Sequence, residues 1–438
     1  MHKLNVIILV FRLGKNAETI NDHIDAFNKF SNHNIFVLDL RTHRWGLTGS
    51  KLDINRFDVV ILHYTIFVLG TWHLHARAKH KIANFKGMKV QFIQDEYRRV
   101  DEIKREMKRL GIHLLFTCVP DHEVEKVYPR NELPGLRKVS NWTGFVPENL
   151  LNKNTKKIED REIDVGYRAR KVPLWLGRLG VEKWEIADKF LAATQKERIV
   201  CDLSYDEERR IYGEDWVRFL TNCKTTLGVE SGASVFDFTG TFQKKTDAYL
   251  KIHPNAAYEE VEKLFFPGED GKVYLNQISP RCFEAACLKT VMILYEGDYS
   301  GVLKPWRHYI PLKKDFSNIS EVVSIIKDRK KLQEIADRAY EEIALNSKFT
   351  YKEFIKKVDE HISTEFEARK FNLSKVHYGV SQFIDALRPT AWQMVKNKYL
   401  GPVLDFAVFH TKKIFKSIAT KVSSGRANQW KARLELWR

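Results

Sequence analysis

Short apolar runs along this chain are separated by mixed stretches of helical length. The runs at 5–11, 34–40, 58–63, 89–93 and 113–118 predict strands, and the stretches at 17–30 and 99–110 predict helices between them. Strand and helix in alternation point to a parallel sheet wound on both sides. The functional side chains of such a sheet lie beyond the carboxyl ends of its strands. Those ends carry Arg12-Leu13-Gly14-Lys15, His63-Tyr64-Thr65, Gln94-Asp95-Glu96-Tyr97 and Pro120-Asp121-His122. A polar, Asn/Lys-rich stretch at 144–161 reads as a linker. The rhythm then resumes, with strands expected at 163–167, 198–202, 225–229, 291–294 and 308–311. Helices are expected at 181–194, 207–222, 283–288, 320–344 and 351–362. Residues 239–274 break the pattern and read as an elaboration with one helix at 257–264. The fold class is α/β, with two doubly wound Rossmann-like domains at 1–150 and 162–362 and a helical extension at 363–438.

In that extension Trp392, Val395, Tyr399, Val403, Phe406 and Phe409 recur at helical spacing among lysines. A basic amphipathic helix bent near Gly401-Pro402 fits an anionic membrane surface; an apolar stripe packed on the rest of the chain is the alternative. Composition sharpens this. The net charge is +17, and residues 391–438 hold ten Lys/Arg against Asp405 and Glu435. Charge concentrated at one end argues for a basic device and against a uniformly basic nucleic-acid binder. A hydrophobic fraction of 44% with 12% aromatic residues excludes a disordered chain. The five cysteines show no metal-ligand spacing, which fits a reduced, cytoplasmic setting. LNVIILVF at 4–11 is too short for a leader and reads as a first strand. No run approaches the roughly 20 apolar residues of a spanning helix.

The stretch 279–301, SPRCFEAACLKTVMILYEGDYSG, carries the densest chemistry. Glu284 sits in an apolar helix, where an unpartnered carboxylate is costly, so it should meet a protein donor or a ligand hydroxyl. Arg281-Cys282-Phe283-Glu284-Ala285-Ala286, then Tyr295-Glu296-Gly297, then His308-Tyr309-Ile310-Pro311-Leu312 resemble the bacterial group-1-like branch of GT-B glycosyltransferases, with its R-x-F-E-A-A helix. The resemblance covers about 165–360 at the level of motif. It covers 1–150 only at the level of fold.

The resemblance implies a nucleotide-diphosphate sugar as co-substrate, two domains facing a cleft, and ribose contact by Glu284. The family's second glutamate, which contacts the donor sugar, corresponds here to Asn276, an uncharged amide. Without a metal, the donor's phosphates must be met by cations and helix N-termini. Arg168 and Arg170, after the second domain's first strand, are the leading candidates, and Arg281 is a third. Gly297, in the turn that follows the 291–294 strand, offers backbone N–H groups. Glu230, Ser231 and Gly232 follow another strand with small residues that permit close approach to a ligand.

On the acceptor side, Asp95 and Glu96 are adjacent carboxylates at a strand end, suited to general-base work, with His63 as a rival. His73, His75 and His80 lack the spacing of a helical metal pair, and no Asp-x-Asp occurs, so no metal or other cofactor is expected. The expected protein is a glycosyltransferase at the inner face of the membrane, acting on a glycan or lipid-linked acceptor in surface polysaccharide synthesis. Two alternatives stay open. One is transfer of another activated group, such as glycerol phosphate. The other, favoured by Asn276, is a non-catalytic membrane or anionic-polymer binder on a decayed transferase fold.

Overall fold

The computed structural model describes residues 2–12, 18–43 and 46–388. Six strands, β1 Asn5–Val10, β2 Asn34–Asp39, β3 Val59–Leu62, β4 Met88–Phe92, β5 Leu114–Thr117 and β6 Arg137–Ser140, form one sheet in the order β2-β1-β3-β4-β5-β6. All its pairings are parallel. A second parallel sheet has the order β13-β12-β9-β7-β8. Its strands are β7 Ile163–Arg168, β8 Cys201–Ser204, β9 Cys223–Gly228, β12 Val291–Tyr295 and β13 Tyr309–Leu312. Between β9 and β12 an antiparallel ribbon pairs β10 Ser231–Ala233 with β11 Leu275–Gln277. The apolar runs became strands because β1, β3, β4, β5 and β12 are buried along their whole length, with helices covering both faces.

Four departures from the sequence expectation have local causes. β6, with the sequence Arg-Lys-Val-Ser, is a half-buried edge strand and so carries no apolar run. The helix expected over 320–344 breaks at Asp328. That residue has extended-side dihedrals (φ −92°, ψ 92°) and caps the next helix by accepting from the Lys331 N–H at 3.1 Å. Residues 239–274 hold two helices, Thr241–Leu250 and Tyr258–Phe265; the Asp237 carboxylate takes the Gly240 and Gln243 N–H groups, each at 2.8 Å.

The last departure moves a domain boundary. The helix Tyr351–Ala368 was expected to end the second domain. Tyr351, Phe354, Ile355, Val358, Ile362 and Phe366 instead join the core of the first sheet with Val6, Ile8 and Val90. Its apolar stripe is a continuation of the first domain, reached after the chain has completed the second. Among the described residues, 43, 46–53 and 378–388 belong to a small unit of their own, in which Val380–Ala386 is helical. The basic amphipathic stretch expected at 391–438 lies outside the described residues. No helix among the described residues is long and apolar enough to cross a membrane.

Candidate active site

In the second sheet the strand order reverses between β7 and β9. That switch point opens a crevice at the carboxyl ends of the strands. A cavity of about 230 Å³ lies there, lined by Tyr167 and Ala169 after β7, Thr226 to Val229 on β9, and Ser279 and Arg281 at the start of the helix Pro280–Cys287. Ser279 and Pro280 set that helix start, with proline where the missing N–H is harmless. Arg170, Lys183, Arg210 and Arg281 line the cavity and no carboxylate does. Arg210 is paired with Glu207 and Asp95 acts on Lys183, but neither carboxylate lines the cavity, and its cationic wall beside a helix N-terminus suits an anion.

Lys183 projects from the helix Arg178–Ala193, whose Leu179, Val181, Ile186 and Phe190 pack inward. Its ammonium has no hydrogen bond or ion pair among the described residues. Burial is the first cause that brings it down to about 8; Arg281 and Arg170 lower it further, and Asp95 pulls it back. The Arg281 guanidinium lies over the Trp216 ring, 5.0 Å from its centre, and donates to the Arg168 carbonyl.

A second cavity of about 390 Å³ shares Ala169, Arg210, Trp216, Ser279 and Arg281 with the first. It extends to Glu18, Thr19 and Asp22, on the helix Glu18–Phe30 of the first domain. Glu284 reaches this cavity. The Trp216 indole N–H donates to its carboxylate at 2.7 Å, and the Thr19 hydroxyl donates as well. Burial raises Glu284 above the usual carboxylate range, although these donors and Arg281 oppose it. The partner of this buried carboxylate is thus an indole from the second domain and a hydroxyl from the first.

Several expectations are corrected by the geometry. Arg168 is 8% exposed. Its guanidinium donates to the Asp202 carboxylate at 2.8 Å and to the Tyr167 and Asp202 carbonyls, and it stacks on Phe219. Arg168 therefore ties β7 to β8, and its charge is already matched.

Glu230, Gly232, Asn276 and Gly297 line neither cavity. Glu230 accepts from Asn276 Nδ2 at 3.1 Å and from the Asp298 and Tyr299 N–H groups at 3.1 and 2.8 Å. Those loop N–H groups are spent on Glu230 and do not face a ligand. A Cβ on Gly297 would sit 2.8 Å from the Glu230 carboxyl carbon. Gly232 has φ +138°, and a Cβ there would meet the Leu275 carbonyl oxygen at 1.7 Å, so glycine is required for the β10–β11 pairing. Ser231 alone of its run lines the first cavity.

On the acceptor side, Asp95 is exposed, takes the Tyr97 hydroxyl at 3.0 Å and faces Lys183 closely enough to raise it. Glu96 is fully buried. It accepts from Thr117 Oγ1 at 2.6 Å, the Cys118 N–H at 2.8 Å and the Tyr128 hydroxyl, and burial pushes it up to about 7. His63 is likewise enclosed, between Thr65 Oγ1 and His23 Nδ1 at 3.0 Å each, and burial holds it well below its ordinary value. Neither can touch a substrate without unfolding its surroundings, so both leave the catalytic set. His73 stacks on Phe11, and His75 caps the helix Ala76–Ala83. Among the described residues no group of three His, Cys, Asp or Glu side chains could hold a metal ion.

The sequence pattern missed Lys183, Trp216, Arg210, Thr19 and Asp22. Lys183 left no trace, since its helix also carries Arg178, Glu182, Glu185, Asp188 and Lys189. Asp22 left none, since it sits on an amphipathic helix with a polar face.

No family model matches the chain, and no curated protein matches it by sequence. Solved structures do resemble it. An alpha-glucosyltransferase in complex with UDP superimposes with a TM-score of 0.51 at 10% identity, over 83% of this chain and 100% of that one. An alpha-glucosyltransferase in complex with UDP and a 13-mer DNA containing a HMU base gives 0.51 at 11% identity, over 82% and 100%. At such identities the likeness is one of fold. The chain has the GT-B fold, two Rossmann-like domains with a crevice at their strand ends.

Proposed function

We propose that the chain is a glycosyltransferase. It moves a sugar from a nucleoside-diphosphate donor, held at the carboxyl ends of β7, β9 and β12, to a hydroxyl of a glycan or lipid-linked acceptor. The observation that carries this reading is the first cavity, with four cations and no carboxylate at the switch point of the second sheet. Charge builds on the departing diphosphate as the glycosidic bond breaks. In this reading Arg170, Lys183 and Arg281, which line the cavity, neutralise it in a partly dehydrated crevice. Glu284 meets the donor's ribose, with Trp216 and Thr19 fixing the carboxylate. The UDP held by structures of the same fold supports a uridine nucleotide as the first donor to try.

Calorimetry with UDP and GDP tests the site. Arg281→Ala and Glu284→Ala should each weaken nucleotide binding by about tenfold or more, the loss of one charge-assisted hydrogen bond. Wild-type affinity in both variants would overturn it. Surface polysaccharide synthesis at the inner membrane face belongs to the same reading, supported by the +17 charge and its concentration in 391–438. Removing 391–438 should abolish sedimentation with anionic liposomes and leave UDP binding intact; equal sedimentation of both forms refutes the membrane part.

A further inference from the structure

The glycosyl-transfer reading leaves open which group takes the proton from the acceptor hydroxyl. Resting on that reading, we infer that Asp22 is the base, reaching the acceptor from the first-domain wall of the second cavity. The helix Glu18–Phe30 brings Asp22 to that wall, opposite Arg281, Trp216 and Glu284. The cavity shares five residues with the cationic one and also holds Glu284, so an acceptor at its Asp22 wall adjoins the donor's diphosphate with the ribose on the Glu284 side. Among the described residues Asp22 has no hydrogen-bond or ion-pair partner. The strand-end acids considered for the task are both engaged: Glu96 is bonded to three donors, and Asp95 holds the Tyr97 hydroxyl.

The charges around Asp22 suit the task. Burial raises it to about 7; Glu18, Glu284 and Asp25 add to the rise in that order. Arg168, Arg210, Arg281 and Glu214 are the other charged groups on the cavity wall. The Tyr64 and Tyr351 phenols also feel its charge. A carboxylate poised near neutrality is a stronger base than an ordinary aspartate, yet is still ionised in half the molecules at pH 7. In the step, the acceptor oxygen bonds to the anomeric carbon as its proton passes to Asp22. The bond from that carbon to the diphosphate oxygen breaks, and its electron pair stays on the diphosphate among Arg170, Lys183 and Arg281.

The test uses the full chain with UDP-glucose, UDP-galactose, UDP-N-acetylglucosamine and GDP-mannose against a panel of octyl glycosides, with UDP and GDP binding measured beside it. For wild type the rate should rise through an inflection near pH 7. Asp22→Asn should cut kcat by about 10²–10⁴-fold and remove the inflection, at unchanged nucleotide affinity, whereas Asp22→Glu should keep part of the rate. Wild-type rate and inflection in Asp22→Asn would overturn the proposal. So would loss of nucleotide affinity in step with rate, because the defect is then in the site and not in the proton transfer. Nucleotide binding by wild type with transfer to no acceptor overturns the base while leaving the donor site standing. No nucleotide binding by wild type removes the donor reading itself.

Discussion

Lys183 gives the sharpest handle on the anion site, because its charge depends on whether the site is filled. In the empty protein burial and the neighbouring Arg281 and Arg170 hold it near 8. A diphosphate placed against it reverses the balance and keeps the ammonium protonated. Filling the site should therefore draw a proton from solution: about three quarters of one at pH 8.5, and about a tenth at pH 7. The sign follows directly. The free site loses its proton as pH rises through 8 while the filled site does not, so affinity falls with pH, approaching tenfold per unit well above 8. Asp22, near 7, is already ionised at pH 8.5 and adds nothing there. Calorimetric titration of UDP at pH 8.5 in HEPES and in Tris, which differ in ionisation enthalpy, reads the uptake as a difference in heat. Lys183→Ala should abolish that difference and weaken binding by roughly 10–100-fold, the worth of one charged hydrogen bond. Equal heats in the two buffers for wild type, or an undiminished difference in the variant, would refute the placement of this lysine on the phosphates.

Glu96→Ala leaves the Thr117, Cys118 and Tyr128 donors buried without an acceptor. It should destabilise by about 3 kcal/mol or more in urea unfolding while UDP affinity stays put; full stability with lost turnover would restore Glu96 to the chemistry. Arg168→Ala should behave in the same way, lowering the unfolding midpoint with little change in nucleotide affinity, since its charge is matched by Asp202. Gly232→Ala should melt the β10–β11 ribbon at a cost of about 2 kcal/mol or more, read as a lower thermal midpoint. A neutral result there would mean that the Leu275 carbonyl can swing away.

The sequence revealed the fold wherever burial was two-sided. β3 and β12 are apolar throughout and β1 is so after Asn5, because helices cover both of their faces. It was silent where an element is half exposed, as at β6, or where an apolar stripe could serve either domain, as in Tyr351–Ala368. The motif helix was legible down to Glu284, and so was the departure at Asn276. The motif does not disclose that Asn276 meets the Glu230 carboxylate, which comes from a strand end 46 residues earlier. Charge in sequence says nothing of whether it is already matched. Arg168 and Arg170 are two positions apart in one basic run, yet the first is clasped by Asp202 and only the second lines the cationic cavity. Lys183 and Asp22 depend on separate elements converging at one crevice, and no local pattern records such a meeting.

The return of Tyr351–Ala368 to the first sheet means that the backbone passes between the two domains twice, once after β6 and once before this helix. The two passages run side by side, joined where the Val146 N–H meets the Phe349 carbonyl at 2.8 Å. A single strand would let the halves swivel about it in any direction. Two coupled strands act as a pair of pins and restrict opening to a rocking about one line. Cutting the chain at either passage should leave the halves associated through the other, so a circularly permuted protein opened within 147–157 should still assemble the crevice.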